Sequence, residues 1–324
     1  MNAKSVFYLQ LVLARGVGPK TAFAVLRLLN ERGVDLASDV VDCSLLKKIG
    51  VSEVVVNSLF AVYSGAVELF GVIKEKNVRI MSCFDNDYPY KMRVVLRDSC
   101  PPLLFVKGNI ELFKRPSVGF CGARNATERG LSVARDVSKI LSTFGICVVS
   151  GYAKGVDVTA HEAALSSGGA TIVVLAEGIL SSRSKEFVDL YDNGSNLLFV
   201  SEFPPMLKWI SHNAMKRNVT ICSLSNSMIV VESGVSGGTF AAAQESMRLK
   251  RPLFVAEYSD LSDSTLGNIE LINRGVNRIS RNRRGLPNLD GVIRAVAYDR
   301  VRLGEQDVGF DKDAVLKSLH DYIT

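Results

Sequence analysis

Residues 150–161 read SGYAKGVDVTAH. Two glycines, Gly151 and Gly155, stand four apart around one cation, Lys154. An acid and an imidazole, Asp157 and His161, follow at helical spacing. One helical turn brings such side chains together. The pair serves either as a tuned general base or as structure, with Asp157 capping a helix and His161 bonded to nearby backbone. No nucleophile accompanies it. The glycines leave backbone amides bare, and Lys154 adds charge to them.

Three further stretches carry the same mixture. FCGARNATERG places Gly122 at a tight turn, Arg124 after it, and Thr127 as a cap for a helix starting near Glu128. Its spacing departs from G-x-G-x-x-G, so the dinucleotide fingerprint fails. VESGVSGGTFAAAQES opens a helix with Ser236, Gly237, Gly238 and Thr239. Exposed amides at a helix start bind anions, but no G-K-[ST] follows, so this is not a Walker A loop. HNAMKRNVTICSLSNS sets Lys216, Arg217 and Asn218 ahead of an apolar helix. Each stretch alone is also read as a plain glycine turn or a surface cation. Together, Arg124, Lys154, Lys216 and Arg217 with two glycine-rich helix starts predict a groove for a polyanion.

These loops need a scaffold that gathers them. Six short apolar runs, at 117–122, 146–150, 171–176, 196–201, 227–232 and 252–257, have the composition of strands buried on both faces. Helix-length segments separate them, such as 131–143 and 239–249. The prediction is an α/β chain with a Rossmann-like, doubly wound, mainly parallel sheet. Ligands of such sheets lie beyond the carboxyl ends of the strands, where the unusual residues fall.

Four regions follow. Residues 1–80 read as a small helical domain, in which GVGP with Gly16, Gly18 and Pro19 is either a helix-hairpin-helix turn or a plain connection. Residues 81–116, with Pro89, Pro101 and Pro102, read as a linker ending in a strand, LLFVKGN. Residues 117–285 form the Rossmann-like domain. Residues 286–324 form a short tail with a helix at 313–322. Arg274, Arg278, Arg281, Arg283 and Arg284 crowd the end of the third region. That run is either a solvated loop or a second nucleic-acid patch.

The chain of 324 residues is 47% apolar and carries a net charge of +6. The charge favours anionic partners such as nucleic acid. Six cysteines without C-x-x-C spacing argue for a reducing compartment and against disulfides or zinc. Three scattered histidines argue against a histidine metal site. No apolar run reaches membrane-spanning length, and SVFYLQLVLA near the start reads as a helix rather than a signal peptide. The expectation is a cytoplasmic protein with no membrane partner.

The motifs, in their order, resemble the DprA (Smf) family of DNA-processing proteins. They are GVGP, DYP at 87–89, PPLLFVKGN, GAR, SGYAKGVDVTAH, SEFPP, KRN, VVES with Ser236 and Gly237, and LGNIELINRG. The resemblance implies a protein that binds single-stranded DNA, protects incoming DNA and loads RecA recombinase onto it in natural transformation or recombination. It commonly implies a homodimer, with no catalysis and no cofactor. It places Gly122, Arg124, Gly151, Lys154, Gly155, Lys216, Arg217, Asn218, Ser236, Gly237, Gly238 and Thr239 at the DNA. Asp157, His161, Glu232 and Asn268 then support the groove. The chain departs from the family at Ala176 and Glu177, where a glycine is usual, at Ala214, where an aromatic is usual, and in a shortened serine–glycine loop. A second reading is a nucleotide-ligand sensor or a phosphoribohydrolase on the same fold. SGGT followed by Glu245 is similar to the P-G-G-x-G-T-x-x-E of lysine-decarboxylase-like proteins, without the proline and with different spacing.

Overall fold

A computed structural model describes residues 3–36, 38, 41–181, 196–259, 262–281 and 285–305. Five helices come first: α1 (Ala3–Leu13), α2 (Pro19–Glu31), α3 (Cys43–Lys48), α4 (Glu53–Ala61) and α5 (Tyr63–Glu75). The GVGP turn joins α1 to α2, with Pro19 at the first helical position, where its missing N–H costs nothing. Leu9, Leu26, Leu46, Leu59 and Ile73 pack the centre of this helical unit.

The remainder builds one mixed, mostly parallel sheet of nine strands among the described residues. In chain order, β1 (Arg79–Ser82), α6 (Tyr90–Leu96), β2 (Leu103–Gly108), β3 (Ser117–Cys121), α7 (Glu128–Thr143), β4 (Cys147–Ser150) and α8 (Val156–Ser166) come first. They are followed by β5 (Thr171–Val174), β6 (Leu197–Ser201), α9 (Ser211–Leu224), β7 (Ser227–Val230), α10 (Gly238–Arg248) and β8 (Leu253–Ala256). The last elements are α11 (Leu266–Asn273), β9 (Asn277–Ile279) and α12 (Asp290–Leu303). The spatial order is β1-β2-β6-β5-β4-β3-β7-β8-β9. β6 through β9 run parallel along this order, and β1 and β2 pair antiparallel at one edge. The winding direction reverses between β3 and β7, which makes their carboxyl ends the topological switch point of the sheet.

All six predicted apolar runs are strands, and their alternating residues face two separate cores. Val118, Phe120 and Val148 face α7 and α12. Cys121, Cys147 and Val149 face the core shared with α6, α9 and α10. Burial on both faces is what makes these strands nearly all apolar.

The stretch 81–116, expected to be a linker ending in a strand, carries α6 and β2. Its Pro101 and Pro102 precede β2, and β2 completes the sheet beside β6 through an antiparallel register. Ile80, Leu103 and Phe105 then join the helical unit's core, so this edge is where the helices dock. The tail begins with α12, which lies on the sheet rather than outside it. The helix expected at 313–322 lies outside the described residues, as do Arg283 and Arg284.

The amino ends of β3 and β7 meet α6 and α12 through a buried ionic network. Lys91 donates to Ser117 Oγ (2.7 Å), Asn226 Oδ1 (3.0 Å) and the Arg115 carbonyl (2.9 Å). Burial pulls its ammonium down to about 8. Asn226 in turn donates to Glu305 (2.8 Å) and to Asp299 (3.2 Å). Arg251 grips both oxygens of Asp299, and Arg302 adds a 2.7 Å contact. Arg251 and Asp299 are both fully shielded from solvent. Removing one member of such a pair strands the other's charge. Asp299→Ala should therefore cost about 3–5 kcal/mol of folding free energy, read from urea denaturation. A loss below about 1 kcal/mol would show that α12 does not depend on the pair.

Candidate nucleic-acid interface

Four loops converge at the carboxyl ends of the parallel strands. The turn after β4 is the tightest. Gly155 holds φ +88, which favours glycine, and a Cβ there would lie 2.5 Å from the carbonyl oxygens of Ala123 and Arg124. The loops after β3 and β4 therefore touch backbone to backbone. Gly122 permits the same closeness one step earlier, since a Cβ would meet the Val156 side chain at 2.4 Å.

Gly151 serves a different purpose. A Cβ on it would sit 1.4 Å from a terminal nitrogen of Arg217. The guanidinium from α9 is thus laid directly on the β4 turn. Arg217 is only 8% exposed, and one of its terminal nitrogens lies 3.9 Å from Asp157 Oδ2. Burial pulls the guanidinium down, and the facing carboxylate opposes that shift. Burial pushes the Asp157 carboxyl up, and Arg217 opposes that in turn.

Two roles differ from expectation. The cap position of α8 belongs to Gly155, because the chain enters the helix through a left-handed φ. Asp157 sits in the first turn and accepts from Ala153 N at 3.3 Å. It faces Arg217 rather than His161. His161 Nδ1 instead lies 2.6 Å from Thr171 Oγ1, whose hydroxyl donates to the Val148 carbonyl. The imidazole is fully buried, and that burial pulls its pKa down to about 3. It is a neutral tie between α8 and β5.

Arg124, Lys154 and Arg217 line a cleft of about 300 Å³ with Tyr152, Glu177 and Trp209. Arg124 also stacks over the Trp209 ring, 5.9 Å from its centroid. An adjoining cleft of about 550 Å³ shares Arg124, Tyr152 and Lys154 and continues past Asn125 and Thr159. The two form one groove with cations at their junction. A separate cavity of about 520 Å³ lies by Lys91 and Glu305, at the opposite end of the strands.

The other predicted cations and loops distribute differently. Lys216 reaches Glu202 at 2.9 Å and lies 5.3 Å from the Phe203 ring centroid, so its charge is partly matched within the protein. Asn218 donates to the Gly238 carbonyl at 3.3 Å, tying α9 to the start of α10. Ser236, Gly237 and Gly238 are exposed, with Thr239 half-buried behind them. They do not line the Arg124 cleft. Gly237 holds φ +91 at the cap of α10.

Two polar residues hold the frame. Glu232 Oε2 accepts from the N–H (3.0 Å) and hydroxyl (2.9 Å) of Thr127, fixing the start of α7. Thr127 caps that helix by accepting from Gly130 N. Asn268 accepts from Ser233 N (2.8 Å) and donates to the Val231 and Ala256 carbonyls (both 2.9 Å). It thereby joins β7, β8 and the loop between β7 and α10.

Tyr152 and Trp209 are lining residues that sequence reasoning passed over. Trp209 is the chain's single tryptophan and is 40% exposed. A lone tryptophan beside Lys208 and Ile210, ahead of the KRN motif, was the available signal.

Fold and groove together define a Rossmann-like protein with a cation-lined groove over the carboxyl ends of β3, β4 and β5. A sequence model of the family described as DNA recombination-mediator protein A matches residues 79–288, and the chain belongs to that family, DprA (Smf). It is 32% identical over 202 residues to the DNA processing protein DprA of Streptococcus pneumoniae, covering 61% of this chain and 70% of that one. Against DprA of Bacillus subtilis the identity is 28%, over 69% of this chain and 75% of the relative. The crystal structure of the pneumococcal protein superposes with a TM-score of 0.63, at 27% identity, over 80% of this chain and 90% of that one.

The buried imidazole makes stability depend on pH. In the unfolded chain His161 titrates near ~6.5; in the folded chain it does so at about 3. Between these values only the unfolded state takes up the proton. Stability therefore falls as pH drops through that window, by about 1.4 kcal/mol per unit inside it. His161→Gln should lack this slope. Urea unfolding at pH 7, 5.5 and 4.5 should show the variant's deficit shrinking as acid is added. A pH-independent deficit would mean that the imidazole is not held neutral.

Proposed function

We propose that this protein binds single-stranded DNA along the groove over the carboxyl ends of β3, β4 and β5 and delivers it to RecA recombinase, as part of DNA processing in transformation or recombination. The observation that carries this reading is the continuity of the two clefts through Arg124, Tyr152 and Lys154. An extended strand needs such a track, with cations for successive phosphates and aromatic rings for bases.

Family membership supports the reading. A Helicobacter pylori relative, known for a single-stranded DNA binding mode, shares the fold with a TM-score of 0.53 at 23% identity. Protection of incoming DNA, RecA as partner, a homodimer and a cytoplasmic location rest on that membership. No single helix among the described residues is long and apolar enough to cross a membrane.

The protein is a binder rather than an enzyme in this reading. The pair that resembled an acid–base couple is spent on structure: His161 is neutral against Thr171, and Asp157 answers Arg217. ATP and AMP, with or without magnesium, should pass unchanged through many-fold molar excess incubations. Turnover abolished by His161→Ala would replace this reading with that of a nucleotide-processing enzyme.

Affinity should follow the groove cations. Each phosphate contact releases counterions, so Arg124→Ala and Lys154→Ala should each lower the salt slope of oligo(dT) binding by roughly 0.7. Arg217→Ala should cost more, about 1–3 kcal/mol of binding, because it also leaves Asp157 without its partner. A double change of Arg278 and Arg281 to Ala should matter less, since Arg278 is already paired with Glu257 at 2.9 Å. Titrations at several salt concentrations decide it. Groove variants that bind like wild type, with failure of the double variant, would move the DNA to the basic run.

A further inference from the structure

The carboxyl end of α6 holds a backbone conformation that its residue does not suit. Arg97 closes the helix with φ 50 and ψ -124. A side chain crowds the backbone there, whereas glycine adopts it freely. Strain of this kind persists only where the surroundings enforce it, and it clusters at ligand sites. The Arg97 side chain is exposed and makes no hydrogen bond or ion pair with a described residue. No polar contact among the described residues therefore offsets the strain of keeping an arginine at this position.

Arg97 lines a cavity of about 420 Å³ with Arg93, Asp98, Phe23 and Phe84. Among the described residues the Arg93 guanidinium meets one acceptor, the Asp85 carbonyl at 3.3 Å. Two guanidiniums against one carboxylate leave the lining net positive. The half-buried rings of Phe23 and Phe84, with centroids 5.5 Å apart, supply its apolar part.

Strand directions put this cavity at the groove's end of the sheet. β1 is antiparallel to β2, and β2 is antiparallel to β6, so β1 and β6 point the same way. Cys83 and Phe84, just past β1, therefore lie at the same sheet end as the loops after β3, β4 and β5. Three strand spacings of about 4.8 Å, roughly 14 Å in all, separate β1 from β5. Lys216 stands in that interval, where it reaches Glu202 just after β6.

We infer that single-stranded DNA runs on from the groove, past Lys216, to a second anion site in which Arg93 and Arg97 grip a phosphate beside the Phe23 and Phe84 rings. The inference rests on the single-stranded DNA reading above. A guanidinium offers phosphate oxygens a forked set of donors. Aromatic rings next to a phosphate contact serve any base, because every base has a π-face. The site gives the helical unit a part in binding, since Phe23 belongs to α2.

Oligonucleotide length separates the two sites. Oligo(dT) of about five nucleotides fills the groove, and oligo(dT) of about fifteen reaches both sites, within the range of single-strand site sizes. By anisotropy, Arg97→Gly should weaken the longer oligonucleotide roughly tenfold, the scale of one charge-assisted contact. Its salt slope should fall by roughly 0.7. The shorter oligonucleotide makes no contact there and should stay within about twofold of wild type. Arg93→Ala should follow the same pattern, whereas Arg217→Ala should weaken both lengths. Because glycine suits the backbone at this position, Arg97→Gly should also raise the midpoint of urea unfolding. Lost binding is then not lost folding.

An Arg97→Gly variant that binds the longer oligonucleotide like wild type would overturn the second site while leaving the groove intact. Equal weakening of both lengths would overturn it as well, by placing the effect at the groove. A lowered urea midpoint would show that the backbone favours arginine there, which removes the reason to assign its side chain to a ligand. Wild-type protein that binds neither length would remove the groove reading and its extension together.

Discussion

The site depends on one guanidinium laid on one glycine. Arg217 comes from the middle of α9, and Gly151 from the turn after β4. With any side chain at Gly151 the two elements would have to part. With any neutral residue at Arg217, Asp157 would keep a buried carboxylate whose opposing charge is gone. Three constraints therefore meet at a single contact: the height of the β4 turn, the pitch of α9 and the start of α8. The groove walls stand where they do because this contact sets their spacing.

The two ends of the sheet treat charge in opposite ways. At the amino ends, Lys91, Arg251, Asp299, Arg300 and Glu305 are all nearly excluded from water and answer one another. That arrangement fixes α6 and α12 on the sheet by pairing these charges within the protein. At the carboxyl ends, Arg124 and Lys154 lie at the mouth, and only Arg217 is sunk and paired. Parallel sheets favour such a division. Their strand-end loops at the carboxyl side are free to vary, while the other end must close around helix returns. The groove thus presents Arg124 and Lys154 at its mouth, backed by the buried Arg217.

Much of this was legible in the residues. Six of the seven parallel strands are short unbroken apolar runs, as a sheet covered on both faces requires. Arg124, Lys154, Gly155 and Arg217, at or near their ends, line the two adjoining clefts, with Gly151 packed under Arg217. β1 and β9 escaped notice because RIMS and NRI are three or four residues long and partly polar. Edge strands need fewer apolar residues, so composition alone does not separate them from loops. Side-chain direction was the other gap. Helical spacing brings Asp157 and His161 within reach of each other, yet each finds a better partner from a distant element, Arg217 or Thr171. Pairings with residues tens of positions away leave no local trace. Lys216 shows the same effect, since Glu202 is fourteen residues earlier and reaches it only through the fold.

The division between buried and exposed groups also bears on the proposal that the site binds without catalysing. Proton transfer at neutral pH needs a group poised near that pH. His161 is pulled to about 3 by burial, far below that range. Asp157 feels burial and the Arg217 charge in opposite senses, and its oxygen is engaged by Ala153 N. The groups that do face the groove are permanent cations, aromatic rings and one carboxylate. Such a surface suits the proposed single strand, which charge and stacking would hold through contacts that form and break without rearranging any bond. The buried acid and imidazole keep that surface in register, which is why the most enzyme-like stretch of the chain ends up as its framework.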